Sequence, residues 1–587
     1  MVRIFKSTKN IERMDVQFSS KDNFYDIKSI VSSCVGSYYD RANRMWKVNI
    51  DDADELLEAL SNIGNEIVQI DLDIFKLRKV YVEKRDDLLK LRNKLEGVDC
   101  GVELVEPHKL LPFQHVGAEF LYQVQNGIVA DKVGLGKTIQ SFSAAYKSIN
   151  KGKAAKCFVI VPNSLKRKWH NDIKKFLGID SAIIEGTQIK RQQIYEKWMG
   201  NCVEFGIISY DTLRIDWGRY ISNNMVHKFG MIVDEVQYIK NPTAKRSEVC
   251  KELAAHRLCA FRFGLSATYV ETGLENIFGV MLIVDDNIFG RSYSRFVERY
   301  INVDYFGKVV GYNNIEEVTR KMKYVAVRRH KEQVKDQLGK FLPTVSYNTL
   351  WVELTPQQKK LYNEVLVRVT ENIEQMEKAE KISMATALSE LIYLRQVCVH
   401  TDLIGANLGS SAKTDILKEM LPSIVEENKV VIFSHFVGYV DILENVLKDM
   451  GINCIAMHGK RSEGLSKNRQ DNVDRFSDSP NIPVLITSDI LKEGIDLPAA
   501  SHLINVDILW NPASMVQRAG RIDRLNQKSK NLFVTNIWGE GSIEEQMWSV
   551  VYQREELANQ VMDDGYVESR IKKLSFKDIK KMLRRIR

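Results

Sequence analysis

A chain of 587 residues, 44% apolar and 27% charged, has the composition of a globular protein with several domains. Its formal charge of +8 suits a polyanionic partner. Eight scattered cysteines without a C-x-x-C pair support neither a zinc ribbon nor a disulfide framework, and no signal-peptide core or membrane-length apolar run occurs, so a soluble intracellular protein with reduced thiols is expected.

No repeat of solenoid period and no low-complexity tract is present. Residues 1–64 carry enough aromatic and aliphatic side chains to form a small α+β unit. Residues 65–106 read as a strand and helix linker. In "NEIVQIDLDIF", Ile70, Leu72 and Ile74 alternate with Asp71 and Asp73, the pattern of a half-exposed strand. Leu88, Leu91 and Leu95 then fall at helical spacing. From 107 to 300, short apolar runs ("KCFVIVP", "EFGIISY", "MIVDE", "FRFGLSAT") alternate with helical segments, which predicts a parallel sheet covered on both faces. That rhythm stops over 301–410. No Gly or Pro lies between Pro356 and Gly405, so long helices are predicted in a helical insertion. The rhythm resumes over 411–560 with "VVIFSHF", "INCIAMHG", "VLITSDI", "HLINVDILW" and "NLFVTNIW". Residues 561–587 end in a basic amphipathic helix. The predicted fold class is α/β, with two parallel-sheet lobes, a helical insertion and a small amino-terminal domain.

Three stretches carry chemistry. In "ADKVGLGKT" (130–138), Gly134, Leu135 and Gly136 can turn backbone N–H groups inward around phosphate oxygens. Lys137 would pair with the β- and γ-phosphates and Thr138 would place a hydroxyl on magnesium. Asp131 stands where the full phosphate-loop pattern has a glycine, and a simple glycine turn before a helix would read the same way. In "MIVDEVQYIKN" (231–241), a strand ends in Asp234 and Glu235. The first can hold magnesium and the second can orient an attacking water, while a solvated acidic turn is the alternative. In "QRAGRIDRLNQ" (517–527), Arg518, Arg521 and Arg524 fall at i, i+3 and i+6, predicting neighbouring positions on a helix. Guanidinium groups there can stabilise a γ-phosphate, or simply form a basic helix face.

Together these stretches resemble the Swi/Snf-type DNA-translocating ATPases of helicase superfamily two. The likeness spans about 107–560. It includes "LLPFQHVGAEFL", "VPNSLKRKWHNDI", "ISYDTL", "GLSAT", "YLRQVCVH", "VVIFSHF", "MHGKRSEGLSKNRQDNVDRF" and "ITSDILKEGIDLPAASHLINVDILWNP". The resemblance implies two RecA-like lobes with ATP and Mg2+ bound between them, and DNA as partner. It implies that Gln114 reads the adenine edge and that Glu235, Arg521 and Arg524 are catalytic. Gln237, Ser266, Thr268, Gln517 and Arg518 would couple nucleotide to DNA. Ser164, Lys168, Tyr210, Lys240 and Thr487 would contact DNA by motif position, although Lys166, Arg167 and Lys168 also fit a solvated helix face. The departures are Lys132 at a usually acidic position, Tyr269 after "SAT" where proline is usual, and Asn526 for a glycine. The second-lobe wording is closer to bacterial and viral members, which implies a cytoplasmic rather than nuclear setting.

The segment "CVGSYYDRANRMWKV" followed by "DDADELLEAL" resembles the HARP module of annealing helicases through Tyr39, Asp40, Arg44 and Trp46. That likeness implies forks or junctions as substrates, with Trp46 able to stack on unpaired bases. A small domain with Trp46 in its own core is the alternative. A strand-separating helicase acting on DNA or RNA, or an inactive nucleotide-gated scaffold, would share most of these motifs.

Overall fold

Strands whose residues are apolar without interruption must be buried on both faces, which is the position of inner strands in a helix-covered parallel sheet. The computed structural model shows that arrangement twice. It describes residues 2–6, 13–18, 23–34, 37–40, 43–63, 68–200, 203–267, 273–305, 309–338, 343–378, 384–459, 466–491, 495–524, 527–551 and 576–586. The chain divides into two compact units, the first built mainly from residues up to Gln337 and the second mainly from Leu338 onward.

The first unit opens with a five-stranded sheet of β1 (Val2–Lys6), β2 (Arg13–Phe18), β3 (Tyr38–Asp40), β4 (Met45–Asn49) and β5 (Val68–Ile70), in the order β3-β4-β2-β1-β5. Only the β1–β5 pair is parallel. The small domain thus extends to Ile70 rather than closing at 64. The strand expected through Ile74 ends at Ile70, and Leu72–Asn93 is a single helix. The Asp71 carboxylate accepts from the Asp73 N–H at 3.0 Å and so caps that helix, a local bond that competes with strand continuation. Arg13 holds the small domain against the rest of the unit, donating to Asn287 Oδ1 at 3.1 and 2.6 Å, and Asn49 donates to the Asn287 carbonyl at 3.1 Å.

The main sheet of this unit contains β6 (Asn126–Val129), β7 (Lys156–Val161), β8 (Ser181–Ile183), β9 (Phe205–Ser209), β10 (Phe229–Asp234) and β11 (Cys259–Leu265). A hairpin of β12 (Ile301–Val303) and β13 (Val309–Tyr312) follows, then β14 (Ala326–Val327). The order is β14-β6-β11-β10-β7-β9-β8, all parallel. The span from 301, expected to be helical, therefore begins with strands, and β14 completes the first sheet. Two-residue β14 is too short for any periodic signal, which is why the pattern missed it.

In the second unit, β15 (Thr344–Val352) likewise belongs to a sheet, with β16 (Val430–Phe433), β17 (Cys454–Met457), β18 (Val484–Thr487), β19 (His502–Asn505) and β20 (Asn531–Gly539). Its order is β15-β20-β19-β16-β18-β17, again parallel throughout. Helices Pro356–Lys378 and Met384–Val399 lie within the Gly- and Pro-free stretch. The helix Phe576–Arg585 buries Ile579, Met582 and Leu583 in the same apolar cluster as those two helices. Lys413 is fully buried and donates to Glu544 Oε2 at 2.6 Å and to the Val506 carbonyl at 2.7 Å. Among the described residues no helix is long and apolar enough to cross a membrane.

Removing one partner of a buried ion pair strands the other charge. Lys413→Met should lower the stability of the second unit by roughly 3–5 kcal/mol in chemical denaturation, and an unmoved midpoint would contradict a structural role for the pair.

Candidate active site

Strand register decides which side chains meet. Val129 at the end of β6 pairs with Leu265 of β11, and Leu265 pairs on its other side with Asp234 of β10. Three strands thus end level, and the phosphate loop, the Asp234–Glu235 pair and Ser266 leave the sheet along one carboxyl edge. That edge is where open parallel sheets bind ligands.

After β6 the chain turns through Gly134 and Gly136, with φ of 91° and 75°. Both angles lie where side chains are strained, and a Cβ on Gly136 would lie 2.5 Å from Gln114 Nε2. Helix Lys137–Asn150 starts immediately, so its first N–H groups lack intrahelical partners at the loop. Lys137 Nζ donates to the Asp131 carbonyl at 2.9 Å. Leu135 is buried and Thr138 half-buried. Gln114 is buried at the start of helix Pro112–Val124, its Oε1 accepting from the Leu111 N–H at 2.9 Å. Gly136 and Gln114 are therefore close neighbours, with Lys137 and Thr138 at the start of the helix that follows the loop.

The carboxylate pair is tightly held. Trp169 donates its indole N–H to Asp234 Oδ2 at 2.8 Å, and the Glu235 N–H donates to Asp234 Oδ1 at 3.0 Å. The Tyr210 hydroxyl donates to the Asp234 carbonyl at 2.6 Å. Burial, then the charge of Glu235, pushes the Asp234 carboxyl up to about 7, against the lowering effect of Trp169 and Lys137. Glu235 adopts φ of 55°, a left-handed angle that costs a non-glycine residue about 1–2 kcal/mol. From Glu235 a chain of side chains leads away: Gln237 Nε2 donates to Glu235 Oε2 at 2.5 Å, and the Ser266 hydroxyl donates to Gln237 Oε1 at 2.8 Å. Gln237 and Ser266 are both buried. Thr268 lies outside the described residues.

The arginine stretch differs from its prediction. Helix Pro512–Ala519 stops before Gly520, so Arg521 and Arg524 lie beyond it rather than on neighbouring helical faces. The Arg521 N–H bonds back to the Arg518 carbonyl at 3.0 Å, the tightened turn typical of a helix end. Arg518 is fully buried and bonds Asp489 Oδ1 at 3.0 and 2.8 Å, with Asp507 Oδ1 at 3.2 and 3.1 Å and Asn505 Oδ1 at 3.2 Å. Burial alone would raise the Asp489 carboxyl, but hydrogen bonds from His435 and Arg518 hold it well below the carboxylate range. Arg521 lies 3.7 Å and Arg524 3.1 Å from Asp496, and Arg521 also donates to the Gln517 carbonyl at 3.1 Å.

Of the expected DNA contacts, Ser164 is exposed, and Lys168 and Lys240 are half-buried. The other two are buried. Tyr210 is buried and its hydroxyl is committed to Asp234, while Thr487 is fully buried and its hydroxyl donates to the Ser488 carbonyl at 2.9 Å. Lys166 and Arg167 both pair with Glu185, at 3.2 and 3.0 Å. Trp46 is half-buried on the small domain's core, 5.7 Å from the ring of Tyr39, which is 47% exposed. Sequence reasoning gave no role to Trp169, Arg329 or Asp496. The aspartate in place of a loop glycine was the one signal pointing to a buried cation such as Arg329.

The Asp234 carboxyl binds its proton more tightly folded than at its ordinary value of 3.8, so this group stabilises the fold least at high pH. Without nucleotide or metal, Asp234→Asn should melt above the parent at pH of about 8, and the gap should close as pH falls through about 7. Melting curves that run parallel across that range would contradict the raised value.

Comparisons with known proteins give the family. The chain matches the SNF2-related domain over residues 41–403 and the helicase conserved C-terminal domain over 412–526. An uncharacterized ATP-dependent helicase of Mycoplasma pneumoniae is 26% identical over 86% of this chain and 48% of its own length. The DNA repair and recombination protein RAD54-like of Danio rerio is 25% identical over 81% of this chain and 70% of its own length. The Sulfolobus solfataricus SWI2/SNF2 ATPase core, solved in complex with dsDNA, aligns with 82% of this chain and 99% of its own at 23% identity and a TM-score of 0.37. The chain spans about half the length of the mycoplasma relatives it matches, at 48% and 42%. With both halves of the paired domain matched in order, the chain belongs to the SNF2-related family of helicase superfamily two.

Proposed function

We propose that this protein is a DNA-dependent ATPase that translocates on duplex or branched DNA, serving fork remodelling, branch migration or strand annealing. The observation that carries the reading is the relay from Glu235 through Gln237 to Ser266, beside the phosphate loop on one sheet edge. A carboxylate set to orient water is thereby joined to a second motif by two buried hydrogen bonds. Such a link gives hydrolysis a mechanical output, because a change at Glu235 alters which partner Gln237 can keep.

ATP would lie with its phosphates at Gly134, Leu135, Gly136, Lys137 and Thr138, and with its base near Gln114. Lys137 would exchange the Asp131 carbonyl for phosphate oxygens. The site suits Mg2+: the Thr138 hydroxyl and the Asp234 carboxylate are hard oxygen donors, and crowding of negative charge at Asp234 is relieved by a cation. When bound, the ion would neutralise charge between the β- and γ-phosphates. Glu235 would orient the attacking water, and Arg521 and Arg524 would stabilise the charge that develops on the γ-phosphate. Asp496 beside both arginines would set their orientation. Ser164, Lys168 and Lys240 would bind DNA phosphates. Fork or junction preference would rest on the small domain, with Tyr39 and Trp46 stacking on unpaired bases. Gln517 and Arg518 would act in coupling as supports for the arginine segment.

Lys137→Ala and Glu235→Gln should each abolish DNA-stimulated phosphate release while DNA binding by fluorescence anisotropy persists. Full turnover in either variant would refute the site. Turnover should be strongest with duplex or forked DNA; stronger stimulation by RNA would favour an RNA helicase, and none by any nucleic acid would favour a nucleotide-gated scaffold. Tyr39→Ala should reduce fork preference without lowering duplex-stimulated turnover, and an unchanged preference would remove the small domain from substrate choice.

A further inference from the structure

Two residues past Val129 stands Asp131, and two residues past Val327 stands Arg329. Val129 and Val327 are paired in register across β6 and β14. Parallel pairing therefore delivers a carboxylate and a guanidinium to the same edge from positions 198 apart in the chain. Arg329 Nε donates to Asp131 Oδ1 at 2.9 Å and Nη2 to Oδ2 at 2.6 Å, a bidentate fork. Nη2 also donates to Gln140 Oε1 at 2.6 Å, and Nη1 donates to the Phe113 carbonyl. Gln140 Nε2 returns a bond to Asp131 Oδ2 at 3.0 Å. Arg329 is 2% exposed and Asp131 not at all. The space for this network exists because residue 117 is glycine: a Cβ there would lie 1.8 Å from Gln140 Oε1 and 2.6 Å from Arg329 Nη2.

Asp131 has a second attachment, since its backbone carbonyl receives Lys137 Nζ. One residue thus ties the phosphate-binding lysine to the arginine. We propose that Arg329 is a positioning residue for nucleotide hydrolysis: by locking the Asp131 carboxylate it fixes the carbonyl on which Lys137 rests and the path of the chain entering the phosphate loop. This deepens the nucleotide reading above and rests on it. The same arginine follows β14, and Gln337 farther along donates to the Leu95 carbonyl and accepts from the Phe113 N–H, each at 2.8 Å. The last stretch of the first unit is therefore fastened to the helix that begins at Pro112, at two points. Lysine cannot replace the fork, because an ammonium on a flexible stem cannot serve two carboxylate oxygens, an amide and a carbonyl in one plane.

The test compares DNA-stimulated kcat and ATP KM in the parent, Arg329→Lys, and the double variant Asp131→Asn/Arg329→Met. The double variant removes both buried charges together, so its thermal midpoint should lie near the parent's. Both variants should lose on the order of 10²-fold in kcat from misplacement of the loop, with ATP KM moving less than about threefold. A purely structural pair would instead return kcat to within about twofold of the parent wherever the midpoint is restored. That result, or a parent-like kcat in Arg329→Lys, overturns the proposal. A parent with no turnover overturns the nucleotide reading itself, and this inference with it.

Discussion

A carboxylate withdrawn from water has to be held by donors, and the carboxyl edge of the first unit's main sheet is arranged around that requirement at Asp234. The Trp169 indole and the Glu235 N–H satisfy its oxygens, and the Tyr210 hydroxyl fixes its carbonyl. These bonds explain why Trp169 is buried with its polar edge inward and why Tyr210 is turned away from solvent. They also place Glu235 directly after the strand, in a left-handed backbone conformation that aims its side chain at Gln237. Strain of this kind persists only where surrounding contacts over-determine it, and here the contacts are the donors to Asp234.

Both units use a buried arginine to manage carboxylates at the carboxyl ends of their sheets. In the first unit Arg329 satisfies Asp131 beside β6. In the second, Arg518 satisfies Asp489 after β18 and Asp507 after β19. The planar five-donor fork of arginine suits this task, since several acceptors lie in one layer above strands that end level. A buried pair of this type adds little net stability compared with apolar packing. Under the proposed function, its value at these positions would lie in fixing the orientation of the loops around residues 131–137 and 518–524.

Much of the fold was legible because inner parallel strands announce themselves as continuous apolar runs, and "KCFVIV", "FGIIS" and "FGMIVD" all proved to be fully buried strands. What escaped was short, local or long-range. Strand β14 has two residues, and the Asp71 cap ended an alternating pattern that reads as strand. Gly520 closed a helix that arginine spacing alone would continue. The candidate nucleotide residues stand out in the sequence because glycine, lysine and adjacent carboxylates have few other reasons to occur together. Arg329 was not, because nothing within its own stretch reveals that register will bring it to Asp131. Motif position alone also could not show that burial commits the Tyr210 hydroxyl to the Asp234 carbonyl and the Thr487 hydroxyl to the Ser488 carbonyl.

The central claim is that the relay through Gln237 and Ser266 joins ATP hydrolysis to movement along DNA. The most direct measurement is triplex displacement from duplex DNA per ATP hydrolysed by Ser266→Ala, which removes the hydroxyl from the end of the relay. The account predicts retained hydrolysis, with displacement per ATP reduced by about tenfold or more as transition-state and mechanical terms separate. Displacement per ATP equal to that of the parent would contradict it.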